Sequence, residues 1–247
     1  VCLGAESPER SERSPHGTFP IVTWSRDSAS DSTSTSLSDI TWGAEAIMLS
    51  AGTNIEWLRD DLGLIDTAED SDAVAAQCTT SEGVIFVPAL LGLGTPHWDY
   101  GARATTLGLT RGSTRSHLVR AVLEGVAHRG ADLLEALRSD YPIVDPSEIR
   151  IDGGMSRNRT FVQAFANATG RPVAVSPVTE ATTLGAAYLA GLATRVWSGL
   201  DDIEKLWSPT ATIEPESNVD RDQVRSLWHK AVTRAAGWIP ELSALDF

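Results

Sequence analysis

An α/β fold, with helices layered over a mixed sheet, is what this sequence predicts, and three observations lead there. From residue 149 to residue 193 the pattern runs strand, glycine turn, helix, strand, helix, the alternation of layered α/β domains. Over 116–137, Leu118, Val122, Gly125, Val126, Leu133 and Leu137 recur at helical spacing, which predicts one long amphipathic helix. The chain has 247 residues, 42% of them hydrophobic. That is enough for a packed core in one large domain or two small ones, and it argues against wholesale disorder.

The elements follow in order. Val1-Cys2-Leu3-Gly4 reads as the end of a strand, and the chain starts without Met, as a piece of a longer protein would. Strands are expected over 19–24 and 40–42. Between them 25–39 is dominated by Ser, Thr and Asp, a composition that builds no core and predicts an exposed loop. Ile55, Leu58 and Leu62 predict a helix over 54–62 with Gly63 as its stop. Residues 84–87 read as a buried strand ended by Pro88, and 107–109 as another short strand. Arg111, Gly112, Ser113 and Thr114 supply the start of the long helix. Beyond it come a strand at 149–151, a helix over 158–168 closed by Gly170, a strand at 172–175 and a small-residue helix over 183–193. Helical segments around 203–206 and 221–238 finish the chain, and no internal repeat is visible.

Lys and Arg total 20 against 33 Asp and Glu, a formal charge of −13, which argues against a nucleic-acid backbone or an anionic membrane as partner. A nucleotide stays compatible with that charge, because backbone N–H groups at a helix start hold phosphates without net basic charge. Cys2 and Cys78 show no CxxC or His/Cys spacing of a metal site, and read as buried or free thiols of a reducing compartment. No apolar run approaches the ~20 residues that span a bilayer, so a soluble, cytoplasmic protein is expected.

The stretch Ile149-Arg-Ile-Asp-Gly-Gly-Met-Ser-Arg-Asn158 carries the chemistry. A strand ends in Asp152, and Gly153 and Gly154 allow unusual backbone conformations and leave no Cβ to block a flat ligand. The N–H groups of the next helix start should face the same space, and Asn158 could place an amide there. Gly52 opens another helix with a permissive residue, and helix starts that converge on one crevice are where open α/β folds bind ligands. The small residues of 180–187 read as tight helix packing.

These motifs resemble the FGGY carbohydrate kinases, within the sugar-kinase and actin ATPase superfamily. Residues 152–158 look like that superfamily's adenosine motif in the form found in glycerol kinases. Gly108, Leu109, His117, Leu118 and 121–124 follow the spacing of the family's second signature, with Thr106 replacing a larger apolar residue. Residues 92–99, with Ala102, Arg103, Trp228, Ala231, Val232 and Trp238, are similar to glycerol kinases too, so the resemblance covers Val1 to about Trp238.

The resemblance implies an RNase-H-like (actin-like ATPase/sugar kinase) domain, a mixed sheet with helices on both faces. Residues 1–247 would be the C-terminal nucleotide-binding domain of a kinase that uses ATP and Mg²⁺ to phosphorylate a polyol or sugar, glycerol being favoured and a pentulose the alternative. By position Gly154 and Asn158 would contact the adenine nucleotide and Gly153 would shape the turn. Gly52 and Glu56 match two more nucleotide positions, Glu56 standing where relatives carry Gln. The family's catalytic Asp, phosphate loop and polyol-binding residues precede this region, so this chain is expected to carry no catalytic or metal residue and to be inactive alone. The small polyol or sugar would be held by the N-terminal domain, and surface that domain covers could support homo-oligomers. A nucleotide-free scaffold or interaction domain is the reading from a different class. Asp99 and Glu124 are read as structural, since charged residues at loops and helix ends commonly cap or pair, and His97 beside Asp99 makes no hydrolase, since no Gly-x-Ser-x-Gly nucleophile accompanies them.

Overall fold

The computed structural model describes residues 1–6, 8, 12–25, 40–143 and 145–245. It opens with β1 (Cys2–Gly4), β2 (Phe19–Ser25) and β3 (Ile40–Glu45), which form an antiparallel sheet in the order β1-β3-β2. Of the loop expected over 25–39, Ser25 is the last residue of β2 and 26–39 lie outside the described residues. Next come helices α1 (Thr53–Asp60) and α2 (Asp70–Ala75), then the antiparallel pair β4 (Ile85–Val87) and β5 (Thr105–Leu107). The second strand of that pair falls earlier than its sequence suggests. Gly108 takes φ +79°, outside the extended range, and ends it.

The long helix α3 (Arg115–Asp140) starts at Thr114, whose backbone N–H donates to His117 Nδ1 at 3.0 Å. Strand β6 (Ile149–Ile151), a 3-10 turn (Gly154–Arg157), helix α4 (Arg159–Thr169) and strand β7 (Val173–Val175) form a βαβ unit. Ile149 and Ile151 pair in parallel with Val173 and Val175, and β8 (Ala211–Ile213) adds antiparallel to β7. Pairing within this sheet is therefore mixed. Helices α5 (Ala181–Ala193), α6 (Leu200–Glu204), α7 (Arg221–Ala235) and α8 (Pro240–Ser243) complete the chain.

Strand β4 shows why helices cover both faces. Successive side chains of a strand point to opposite sides. Phe86 joins the cluster of Leu58, Val119, Leu123, Val126 and Val162, while Val87 joins Leu93, Trp228, Ala231 and Val232. So α1, α3 and α4 pack on one side and α7 on the other. Trp57 of α1 stacks on Phe86 with ring centroids 5.5 Å apart. Helix α3 crosses β4 at Gly125, where a Cβ would stand 2.1 Å from the Phe86 carbonyl oxygen. The tight packing expected at 180–187 occurs elsewhere: a Cβ at Gly185 would meet nothing within 4 Å, whereas one at Gly191 would stand 1.9 Å from the Trp197 ring.

A buried charge network joins α3 to α7. Asp132 accepts from Arg129 Nη1 at 2.6 Å, from Arg225 Nη2 at 2.6 Å and from Trp228 Nε1 at 3.1 Å. Burial works to raise the pKa of Asp132, but the nearby His229, 3.7 Å away, and the two guanidinium groups outweigh it and hold the carboxylate ionised. His128 stacks on Trp228 with centroids 5.1 Å apart. Burial first, and then the neighbouring Arg225, push its pKa down to about 4. Its ordinary value in an unfolded chain is about 6.5, so between these values the unfolded chain takes up a proton that the folded chain refuses. Stability attached to His128 is complete above about pH 6.5 and is lost as pH falls towards 4. Denaturant titrations from pH 7 to pH 4 should show a fall on the order of 2–3 kcal/mol. A His128→Gln variant should flatten that slope, and an unchanged slope would remove His128 as its source.

Candidate functional site

A cavity of about 1120 Å³ opens between the starts of α1, α2 and α4, the turn after β6 and the inner face of α3. Gly52, Glu56, Gly153, Gly154 and Asn158, drawn from sequence positions far apart, all line it. Ile55, Val126, Leu133 and Phe161 give it an apolar side.

The glycines act differently from one another. Gly153 takes φ +82° and ψ −179°, backbone open essentially to glycine alone. Its carbonyl then accepts from the Ser156 hydroxyl at 2.7 Å, which closes the turn into the 3-10 segment. Gly52 has φ −59° and ψ −30°, and Gly154 lies outside the positive-φ range. The backbone freedom expected of these two is thus not used. A Cβ at either would meet no protein atom within 4 Å. Protein geometry gives no reason for glycine at 52 or 154, and both border the cavity.

The start of α4 also departs from expectation. Asn158 caps the helix by accepting from the Phe161 N–H at 2.8 Å, and Asp72 accepts from the Thr160 N–H at 2.9 Å. Those two amides, which an anion would need, are taken by the protein. Carboxylates outnumber guanidinium groups around the lining, and Arg59 is bonded to Asp60 at 2.6 and 2.8 Å. A flat polar base and sugar suit such a place better than a polyphosphate.

Ser71 and Asp72 of α2 belong to this site, and neither was singled out from sequence. A signal existed in Thr67-Ala68-Glu69-Asp70, a capping-box pattern before Ala73, Val74 and Ala75. In the structure the Thr67 N–H and hydroxyl donate to Asp70 Oδ2 at 2.8 and 2.9 Å.

Asp99 and Glu124, outside the cavity, are engaged within the protein. Asp99 accepts from the Gly101, Ala102 and Gly237 amides and from Ser243. Burial opposes its ionisation, but these bonds prevail and lower its pKa. Among the described residues no hydrogen bond joins it to His97. Glu124 pairs with Arg120 at 2.8 Å, one turn away on α3. Among the described residues Asp132, Glu135 and His229 have the spacing of a metal site, but Arg225 Nη2 already stands among them at 2.6, 3.0 and 3.1 Å. A guanidinium fills that position, and it does not fit a divalent ion. Cys2 and Cys78 are free thiols, and no helix among the described residues is long and apolar enough to cross a membrane.

The chain is 44% identical over 199 residues to a glycerol kinase of Deinococcus radiodurans, covering 80% of this chain and 40% of the relative. It is 38% identical over 227 residues to a glycerol kinase of Pseudothermotoga lettingae, covering 92% of this chain and 44% of the relative. Among solved structures, the glycerol kinase of Plasmodium falciparum with ADP superposes with TM-score 0.81 at 32% identity, over 95% of this chain and 44% of that one. A xylulose kinase from Rhodospirillum rubrum gives TM-score 0.63 at 26% identity, over 82% and 40%. The chain thus spans less than half the length of these relatives. Residues 2–194 match the C-terminal domain of the FGGY family of carbohydrate kinases, to which this chain belongs.

Proposed function

We propose that residues 1–247 form the C-terminal nucleotide-binding domain of an ATP-dependent kinase that phosphorylates a polyol, glycerol to glycerol 3-phosphate. Gly52, Glu56, Gly153, Gly154 and Asn158 would hold the adenine nucleotide. One observation carries this reading: all five line a single cavity, and a Cβ at Gly52 or Gly154 would meet no protein atom within 4 Å there. Two similar glycerol kinases, one of them solved with ADP, support both the nucleotide and the polyol.

The local chemistry divides the labour. Phosphoryl transfer rests on positioning and on neutralising charge at the phosphates. This cavity has a closed α4 start and an acidic lining, so it would orient base and ribose and leave the phosphates to groups outside this chain. Mg²⁺ would arrive with ATP, and no residue here is assigned to it. No general base is assigned either, since Asp99 and Glu124 are engaged elsewhere.

Titrating the chain with ADP and with adenosine tests the reading. Both should saturate, with ADP no more than several-fold tighter, and the chain with MgATP and glycerol should release no glycerol 3-phosphate. Absence of saturable binding would leave the scaffold reading in its place.

A further inference from the structure

Ser71 is buried to 1% exposure. Its hydroxyl donates to the Ala68 carbonyl at 2.6 Å, which spends its one proton and leaves the oxygen as an acceptor. Asn158 Nδ2 donates to that oxygen at 2.9 Å, while Asn158 Oδ1 accepts from the Phe161 N–H at 2.8 Å. Together these bonds permit one orientation of the carboxamide. A flipped amide would set N–H against N–H at Phe161 and oxygen against a hydroxyl with no proton to give. In the permitted orientation Nδ2 keeps one N–H unspent on a residue that lines the cavity. The adjacent Asp72 accepts from the Thr160 N–H at 2.9 Å and hydroxyl at 2.8 Å, so α2 also grips the first turn of α4.

We propose that Ser71 is a positioning residue that sets Asn158 as a hydrogen-bond donor towards the cavity. The site would then select a ligand with an acceptor atom at that place, as a ring nitrogen of adenine provides. The inference rests on Asn158 being a nucleotide residue, as proposed above.

The test compares ADP binding by wild type, Ser71→Ala, Asn158→Ala and the double variant. Ser71→Ala should weaken ADP roughly 5- to 10-fold, the worth of one ordinary hydrogen bond. That loss should vanish in the Asn158→Ala background, because Ser71 acts through Asn158. Equal losses in both backgrounds, or none in either, would overturn the inference while leaving the nucleotide site standing. Failure of the wild type to bind ADP would remove the site itself. A second readout needs no variant: in isotope-labelled wild type, ADP should shift one Asn158 side-chain amide proton and leave the Ser71-bonded one in place. Both protons moving, or neither, would overturn the assignment.

Discussion

Replacing Asp132 with alanine should lower the unfolding free energy by about 3–5 kcal/mol. The carboxylate is 4% exposed and is the shared partner of Arg129, Arg225 and Trp228. Without it Arg129, itself 1% exposed, keeps among the described residues only the Thr95 carbonyl at 2.6 Å. Arg129 would be left a desolvated cation with no carboxylate partner while Arg225 kept only the half-exposed Glu135, and leaving a buried charge unpaired costs far more than the pair contributes. Glu135 is the internal control. It meets the same Arg225 at 3.0 Å, yet its side chain is 41% exposed, so Glu135→Ala should cost about 1 kcal/mol or less. Denaturant titrations of both variants decide the matter. Equal small losses would mean that water reaches Asp132 and that the network does not hold α3 to α7.

Valine at Gly154 should weaken ADP binding about 5- to 150-fold, the effect of forcing methyl groups into occupied space, and leave thermal stability near wild type. Gly154 has no positive φ, and its Cβ direction is empty, so the protein itself has nothing to lose there. Gly153→Val should instead lose both binding and stability, because φ +82° costs a β-branched residue about 1–3 kcal/mol. Calorimetry with ADP beside a thermal melt separates the two variants. If Gly154→Val binds ADP as wild type does, the nucleotide does not lie against this turn. The two neighbouring glycines thus differ in backbone, Gly153 alone having a positive φ.

Much of this was legible in the amino-acid order, because the forces involved are local. The period of Leu118, Val122, Val126 and Leu137 declares α3, and the strand–glycine–helix succession from Ile149 declares the βαβ unit. Asn158 was readable as a helix opener because an Asx side chain reaches its own third amide. The five cavity residues were readable as glycines and polar groups at helix and strand ends, and their meeting in one crevice was expected from the α/β pattern and the resemblance. Short α2 escaped because six residues show too little periodicity, and β5 was misplaced because Gly108 breaks the strand one residue past Leu107. Other features depended on contacts across long sequence separations. Ser71 meets Asn158 and Asp72 meets Thr160 only once α2 packs beside α4, and Asp132 finds Arg225 only once α7 crosses α3. Side-chain periodicity selects which face of an element is buried, but only the packed fold brings distant elements together. The fold therefore decided that the Thr160 and Phe161 amides of α4 are taken by Asp72 and Asn158, and that of two neighbouring open glycines only Gly153 has a positive φ.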